Sequence, residues 1–177
     1  MKKITTVLSL FILTLLMFSC SNEKTIQTYL VESQGKNGFM TFDIPMTFLD
    51  VKSQDVSDDI KKAIKSIRKV NVVALPYQNN EDAYETEKKN LSDILNNSEK
   101  YKSLMSLNTR GIKVKIYYTG STSSIDEVIA FGYAKEKGVG VARIIGDNMD
   151  PSMVIKVIQN LKIDGGKLNL KQFNLAF

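Results

Sequence analysis

The sequence predicts an α+β fold: a mixed, mostly antiparallel sheet of about six strands with two or three helices packed on one face. Three observations lead there. Val56, Ile60, Ala63, Ile64 and Ile67 recur at helical spacing and run straight into the largely apolar stretch Val70 to Leu75. Ile112, Val114, Ile116 and Tyr118 alternate strictly with Lys113, Lys115, Tyr117 and Thr119, as a half-buried strand requires. Two strand–turn–strand patterns then follow one another between Tyr101 and Ile145.

In chain order, the first strand is Met40, Phe42 and Ile44 alternating with Thr41 and Asp43, closed by Pro45. Ser57 stands where it can cap the first domain helix. Asp58 and Asp59 lie in that helix's first turn, with Lys65, Arg68 and Lys69 near its end, matching the helix dipole. Pro76 ends the strand that follows. Strand, helix and strand in that order imply a right-handed crossover and a parallel pair. Glu81 to Asn97 reads as a second helix with Tyr84, Leu91, Ile94 and Leu95 on one side. Tyr101–Leu107 and Ile112–Thr119 form one hairpin; Glu127–Ala134 and Gly138–Ile145 form another across Lys135-Glu136-Lys137. Asp150 caps a last helix with Pro151 at its first position and Met153, Val154, Val157, Ile158 and Leu161 on its buried side. The tail alternates Leu168, Leu170, then Phe173, Leu175, Phe177, which predicts an added strand.

Ahead of this domain lies a different kind of segment. Lys2 and Lys3 precede an apolar run from Ile4 to Phe18, too short for a membrane span and suited to a secretory signal. Leu16-Met17-Phe18-Ser19-Cys20-Ser21 resembles a bacterial lipoprotein cleavage site. That resemblance implies cleavage between Ser19 and Cys20 and acylation of Cys20, with Met17 and Phe18 departing from the commonest pattern. Several acyl chains on one residue make a stable anchor. Ser21 is not the Asp of the common inner-membrane retention signal, so the expected place is the cell envelope, at the outer membrane, facing the periplasm or the outside. The expected organisation is a signal peptide over residues 1–19, a tether over 20–36 with a docking turn at Ile26, Tyr29, Leu30 and Val31, a domain over 37–163 and a C-terminal extension over 164–177.

The 177 residues hold 24 Lys and Arg against 19 Asp and Glu, a net charge of +5. Removal of Lys2 and Lys3 with the signal leaves +3 on the mature chain. There is no His, which excludes His-based triads and proton shuttles. The one Cys is the acylation candidate, so a free nucleophilic thiol is excluded with it. Ser66-Ile67-Arg68-Lys69 matches S-x-x-K, but the companion motifs S-D-N and K-T-G are missing. Gly138-Val139-Gly140 opens like a dinucleotide fingerprint, yet Arg143 replaces the third Gly and a strand follows. Gly146-Asp147-Asn148-Met149-Asp150 reads as a polar loop whose Asp150 serves as a helix cap, not as a metal site. No cofactor is expected.

Lys61, Lys62, Lys65, Arg68 and Lys69 form a basic face on the first domain helix, the candidate surface for an anionic polymer or an envelope protein. Tyr117, Tyr118, Ile129, Phe131 and Tyr133 belong in the core by default. Export and the lack of a stacking motif argue against nucleic acid.

Several segments together carry a family resemblance: Phe42-Asp43-Ile44-Pro45, Lys65-Ser66-Ile67-Arg68-Lys69-Val70, Tyr101-Lys102-Ser103-Leu104-Met105, the hairpin around Lys113–Tyr117 and the strands before Gly146-Asp147. From Asn37 to Leu161 the chain resembles the 4252 family of domains of unknown function, small exported proteins of the Bacteroidota that are often lipoproteins. The shared pattern is one of core residues and implies no catalytic residue. The expected role is a membrane-anchored, non-catalytic binding module. The alternatives are an accessory factor in envelope stress signalling and a carboxylate-based hydrolase of envelope glycans, which needs two carboxyls about 5 to 9.5 Å apart in a cleft.

Overall fold

The computed structural model describes residues 23–45, 57–109 and 111–160. The signal segment, Cys20 and the predicted tail strand lie outside them. In chain order the elements are α1 (Ile26–Glu32), β1 (Met40–Pro45), α2 (Asp58–Ser66), β2 (Ile67–Pro76), α3 (Glu81–Asn97), β3 (Lys102–Thr109), β4 (Ile112–Gly120), β5 (Ile125–Ala134), β6 (Gly138–Met149) and α4 (Pro151–Asn160). The class is α+β, as the sequence predicts.

The six strands form one open sheet in the order β1-β2-β6-β5-β4-β3, and every pairing is antiparallel. This corrects the expected parallel pair: β1 and β2 are neighbours, but Pro45 at the end of β1 pairs with Lys69 near the start of β2. A nine-residue helix is only about 13 Å long, and α2 does not return the chain along the sheet to the start of β1. The helix also ends earlier than its apolar spacing suggests. Ile67 is already in β2, opposite Gly146 of β6, so sheet pairing replaces the last helical turn. Ser57 sits at the N-cap without a side-chain capping bond. Asp150 does cap α4, its Oδ1 accepting from the amides of Ser152 at 2.8 Å and Met153 at 3.2 Å.

Directly opposed residues on paired strands share a face, and the register therefore sorts the sheet into two. The first face carries Val73 and Leu75, Val139 and Val141, Ile129 and Phe131, and Tyr117. They form one buried cluster with Ile26, Tyr29 and Leu30 of α1 and Tyr84, Leu91, Ile94 and Leu95 of α3. The second face carries Ile116 of β4, Ile125 and Val128 of β5 and Met149 of β6, which cluster with Val154 of α4. Helices thus flank both faces instead of one. Tyr117 faces one way and Ile116 the other, so β4 demands apolar cover on each side.

The N-terminal stretch expected to dock does so. Thr25 caps α1 by accepting from the Thr28 amide at 3.1 Å, and Ile26, Tyr29 and Leu30 are buried while Val31 stays 62% exposed. The Ile26 amide donates to the Tyr101 hydroxyl at 2.9 Å, so the start of α1 is pinned to the residue before β3. At the β5–β6 turn, Gly138 has φ +135°, and a Cβ there would come within 2.3 Å of the Leu75 carbonyl oxygen; only Gly fits so close to β2.

Candidate functional site

The five basic residues of the predicted surface do not share a helix face. Lys61, Lys62 and Lys65 are on α2, whereas Arg68 and Lys69 lie on β2. Three of the five charges are matched: Lys61 Nζ to Asp58 at 3.1 Å, Arg68 Nε to Asp147 at 3.2 Å and Lys69 Nζ to Asp43 at 3.0 Å. Lys62 and Lys65 are exposed and pair with no carboxylate among the described residues. The S-x-x-K match dissolves in the same way. Ser66 closes α2 and donates to the Ala63 carbonyl at 2.6 Å, while Lys69 is held on the sheet. Asp147 and Asn148, expected in a loop, belong to β6.

Two charged arrangements escaped the sequence reading. The first joins Glu127 of β5 to Arg143 of β6. The guanidinium donates twice, Nη2 to Oε1 at 2.6 Å and Nε to Oε2 at 3.2 Å, with side chains only 11% and 14% exposed. Lys100 Nζ approaches the same carboxylate at 3.9 Å. Alternation along the second hairpin was a usable signal: Glu127 shares a face with Ile129 and Phe131, and Arg143 with Val141, so the two charges fall on one face a diagonal step apart.

The second arrangement is centred on Asp43, whose carboxylate accepts from the Asn71 amide and from Lys69. These partners, Asn71 first and then Lys69, hold its pKa below the ordinary carboxylate value. With Gln27 and Val31 of α1 and Gln34 just after it, this group lines a cavity of about 160 Å³ at the β1 edge. A larger cleft of about 320 Å³ separates α1 from α3, lined by Tyr29, Glu32, Lys36, Glu87 and Asp93 among others. In it the Tyr29 hydroxyl donates to Glu87 Oε2 at 3.0 Å. Burial first, and then the Glu87 charge, push the Tyr29 pKa well above its usual value, so this phenol is a donor and not a base. Among the described residues no group of three or more acidic or Cys side chains is placed to hold a metal. These charged groups bond to each other and position the edges of the fold.

The predicted aromatic residues are mostly core. Tyr117, Ile129 and Phe131 are buried on the first face, and the Tyr117 hydroxyl donates to Asn96 of α3 at 3.0 Å.

The second face differs toward the β1–β2 side. Val72, Ala142 and Ala130 lie in one cross-strand row and Gly140, Gly132 and Val114 in the next. All six are half-buried, and of them only Val114 packs against either core cluster. The same rows continue into buried residues, Ala74 beside Gly140 at 4% exposed and Ile116 beside Ala130 at 1%.

A family model matches residues 29–157, described as a domain of unknown function, DUF4252. The chain belongs to this family. The match starts eight residues before the expected Asn37 and so takes in Tyr29 and Leu30 of α1, in keeping with their burial. It stops at Val157, four residues before the expected Leu161. No curated protein and no solved structure matches the chain. Among the described residues no helix is long and apolar enough to cross a membrane.

Proposed function

We propose that this DUF4252 protein is a lipid-anchored, non-catalytic binding module of the bacterial cell envelope. Acylated Cys20 holds it at the outer membrane, and the partner meets the half-buried part of the second sheet face. One observation carries the reading: the half-buried apolar rows Val72–Ala142–Ala130 and Gly140–Gly132–Val114. Small apolar residues aligned across neighbouring strands offer a flat surface that a partner can approach closely. Residues 23–25 link α1 directly to the segment that follows Cys20, so the anchor and the folded domain are separated by only a few residues. Short spacing keeps the domain close to the bilayer, where its partners would be envelope components.

Two measurements test this. In the native host, radiolabelled palmitate should attach to the parent chain and not to Cys20→Ser, and that variant should leave the membrane fraction. Crosslinked pull-down from intact envelopes should recover a specific companion with the parent chain and lose it with Val72→Lys. Absence of label removes the anchor; a companion retained equally by Val72→Lys removes the binding face.

A further inference from the structure

We infer that the cleft between α1 and α3 is a binding site for a small zwitterion, a molecule with a primary ammonium at one end and a carboxylate or phosphate at the other. The inference does not depend on the second sheet face, since both helices pack on the first. The cleft has the size of a site. Its volume of about 320 Å³ is at the lower end of the roughly 300–1,000 Å³ typical of small-molecule pockets. Buried Tyr29 and Ile94 supply apolar surface, and Glu87, Asn90, Ile94 and Asn97 recur at helical spacing along the α3 wall. The side-chain amides of Asn90 and Asn97 make no hydrogen bond among the described residues, and each can both donate and accept.

Charge decides the ligand. Glu23 and Lys24 before α1, Glu32 and Lys36 at and just after its end, and Glu87 on α3 line the cleft. None of them forms an ion pair among the described residues, in contrast to the Arg143–Glu127 and Lys69–Asp43 groups. Asp93, the remaining carboxylate of the cleft, is taken by Lys89. Charges of both signs thus line one cavity and leave each other unmatched. A ligand carrying both signs matches them, its ammonium among the carboxylates and its anion toward Lys24 or Lys36.

Two details of the wall point the same way. The Tyr29 hydroxyl donates to Glu87 Oε2 at 3.0 Å, which orients the carboxylate and leaves Oε1 without a partner among the described residues. An acceptor oriented before binding costs less to order when the ligand arrives. Beside this hydroxyl, Ser33 Oγ is fully buried, and among the described residues it is the one buried side-chain polar atom with no hydrogen bond. A buried group left unmatched shows a polar network one partner short. Ser33 can donate to the phenol oxygen, closing a chain that runs through Tyr29 and Glu87 to the ligand's ammonium, and bonds in such a chain polarise one another.

The test titrates the full chain, labelled with nitrogen-15, with alanyl-alanine and, separately, with phosphoethanolamine. Amide shifts should centre on residues 29–36 and 87–97, with a dissociation constant of about 1 mM or tighter for at least one probe. Blocking the ammonium tests the charge argument without touching the protein: N-acetyl-alanyl-alanine and phosphocholine should bind about ten-fold more weakly than their parents. Glu87→Gln, which keeps an acceptor for Tyr29, should weaken binding by a similar factor. Vesicles separate the two sources of this chemistry. Competition with the probe by phosphatidylethanolamine vesicles, and not by phosphatidylcholine vesicles, assigns the site to a lipid headgroup; competition by neither assigns it to a soluble zwitterion. Equal competition by both overturns the inference, as do the absence of shifts at the cleft with either probe, undiminished binding of the blocked probes and binding unchanged by Glu87→Gln.

Discussion

The two faces of the same sheet are built to different standards. On the first, α1 and the 17-residue α3 bury Val73, Leu75, Ile129, Phe131, Val139 and Val141 almost completely. On the second, the short helices α2 and α4 are joined to one end of the sheet, where β2 starts and β6 stops, and Val72, Ala142, Ala130, Gly140, Gly132 and Val114 are half-buried. Packing is therefore divided unevenly in this fold, with the larger share of the buried apolar side chains on the first face.

The contrast predicts unequal costs for truncation. Phe131 is 1% exposed and sits amid the first cluster, so Phe131→Ala should destabilise the domain by about 3–5 kcal/mol. Val72, one strand position from buried Val73, is only half-buried, so the two methyl groups lost in Val72→Ala should cost about 1 kcal/mol or less. Urea unfolding of both variants measures the difference. Equal costs would mean that the second face is as tightly covered as the first.

The next effect probes the charged pair inside the first face. Replacing Arg143 by Met leaves the Glu127 carboxylate nearly buried with only Lys100 in range, and about 3 kcal/mol should be lost. Pairing Arg143→Met with Glu127→Leu should recover much of it, because an apolar pair of similar volume has no charge to desolvate. A double variant no better than the single would show that the pair contributes more than mutual neutralisation. The ion pair at Arg68–Asp147, by contrast, is well exposed and should matter by less than about 1 kcal/mol.

Most of the fold was legible in the sequence because period and turn chemistry are local. Glu81–Asn97 was readable to the residue, since an uninterrupted helix between turn-forming segments has no competing pattern. What was not legible depended on partners far along the chain. Ile67 continues the apolar stripe of α2, yet it pairs with Gly146, 79 residues away, and the sheet wins over the last helical turn. The same error spread Arg68 and Lys69 along an imagined helix face, when β2 gives them to Asp147 and Asp43. The helix count per face was hidden for a similar reason. Alternation says that Ile116 and Tyr117 point opposite ways; it does not say that both sides are apolar enough to need helices. The half-buried rows of the second face are small residues inside strands, which look unremarkable until the register lines them up.

Alkaline titration separates the faces next. Tyr29, Tyr84, Tyr101 and Tyr117 all belong to the first cluster, and burial raises the pKa of each. A phenol raised above its unfolded value keeps its proton in the fold, so its contribution is complete below about pH 10 and is lost as pH climbs through the folded value. Stability should therefore decline above about pH 10. Tyr101→Phe should flatten part of that decline while costing about 1–2 kcal/mol at neutral pH, because the buried Ile26 amide loses its acceptor. Thermal melts from pH 8 upward read both effects, and a slope unchanged by the substitution would detach Tyr101 from the alkaline limb.

The smallest effect lies at the rim of the first face, beside the β1 edge. Asp43 is held below the ordinary carboxylate value by the Asn71 side chain and then by Lys69. A depressed carboxyl contributes stability above its unfolded pKa of about 3.9 and loses it as pH falls through the folded value. The group is half exposed, so solvent screens the interaction and the loss should be slight. The titration itself is the better measurement. Carbon-detected NMR should place the Asp43 midpoint below that of an exposed Asp, and Asn71→Ala should raise it more than Lys69→Met does, since the neutral amide is the larger cause. If Lys69→Met moves the midpoint further, the salt bridge holds this carboxylate and the buried Asn71 serves only to join β1 to β2.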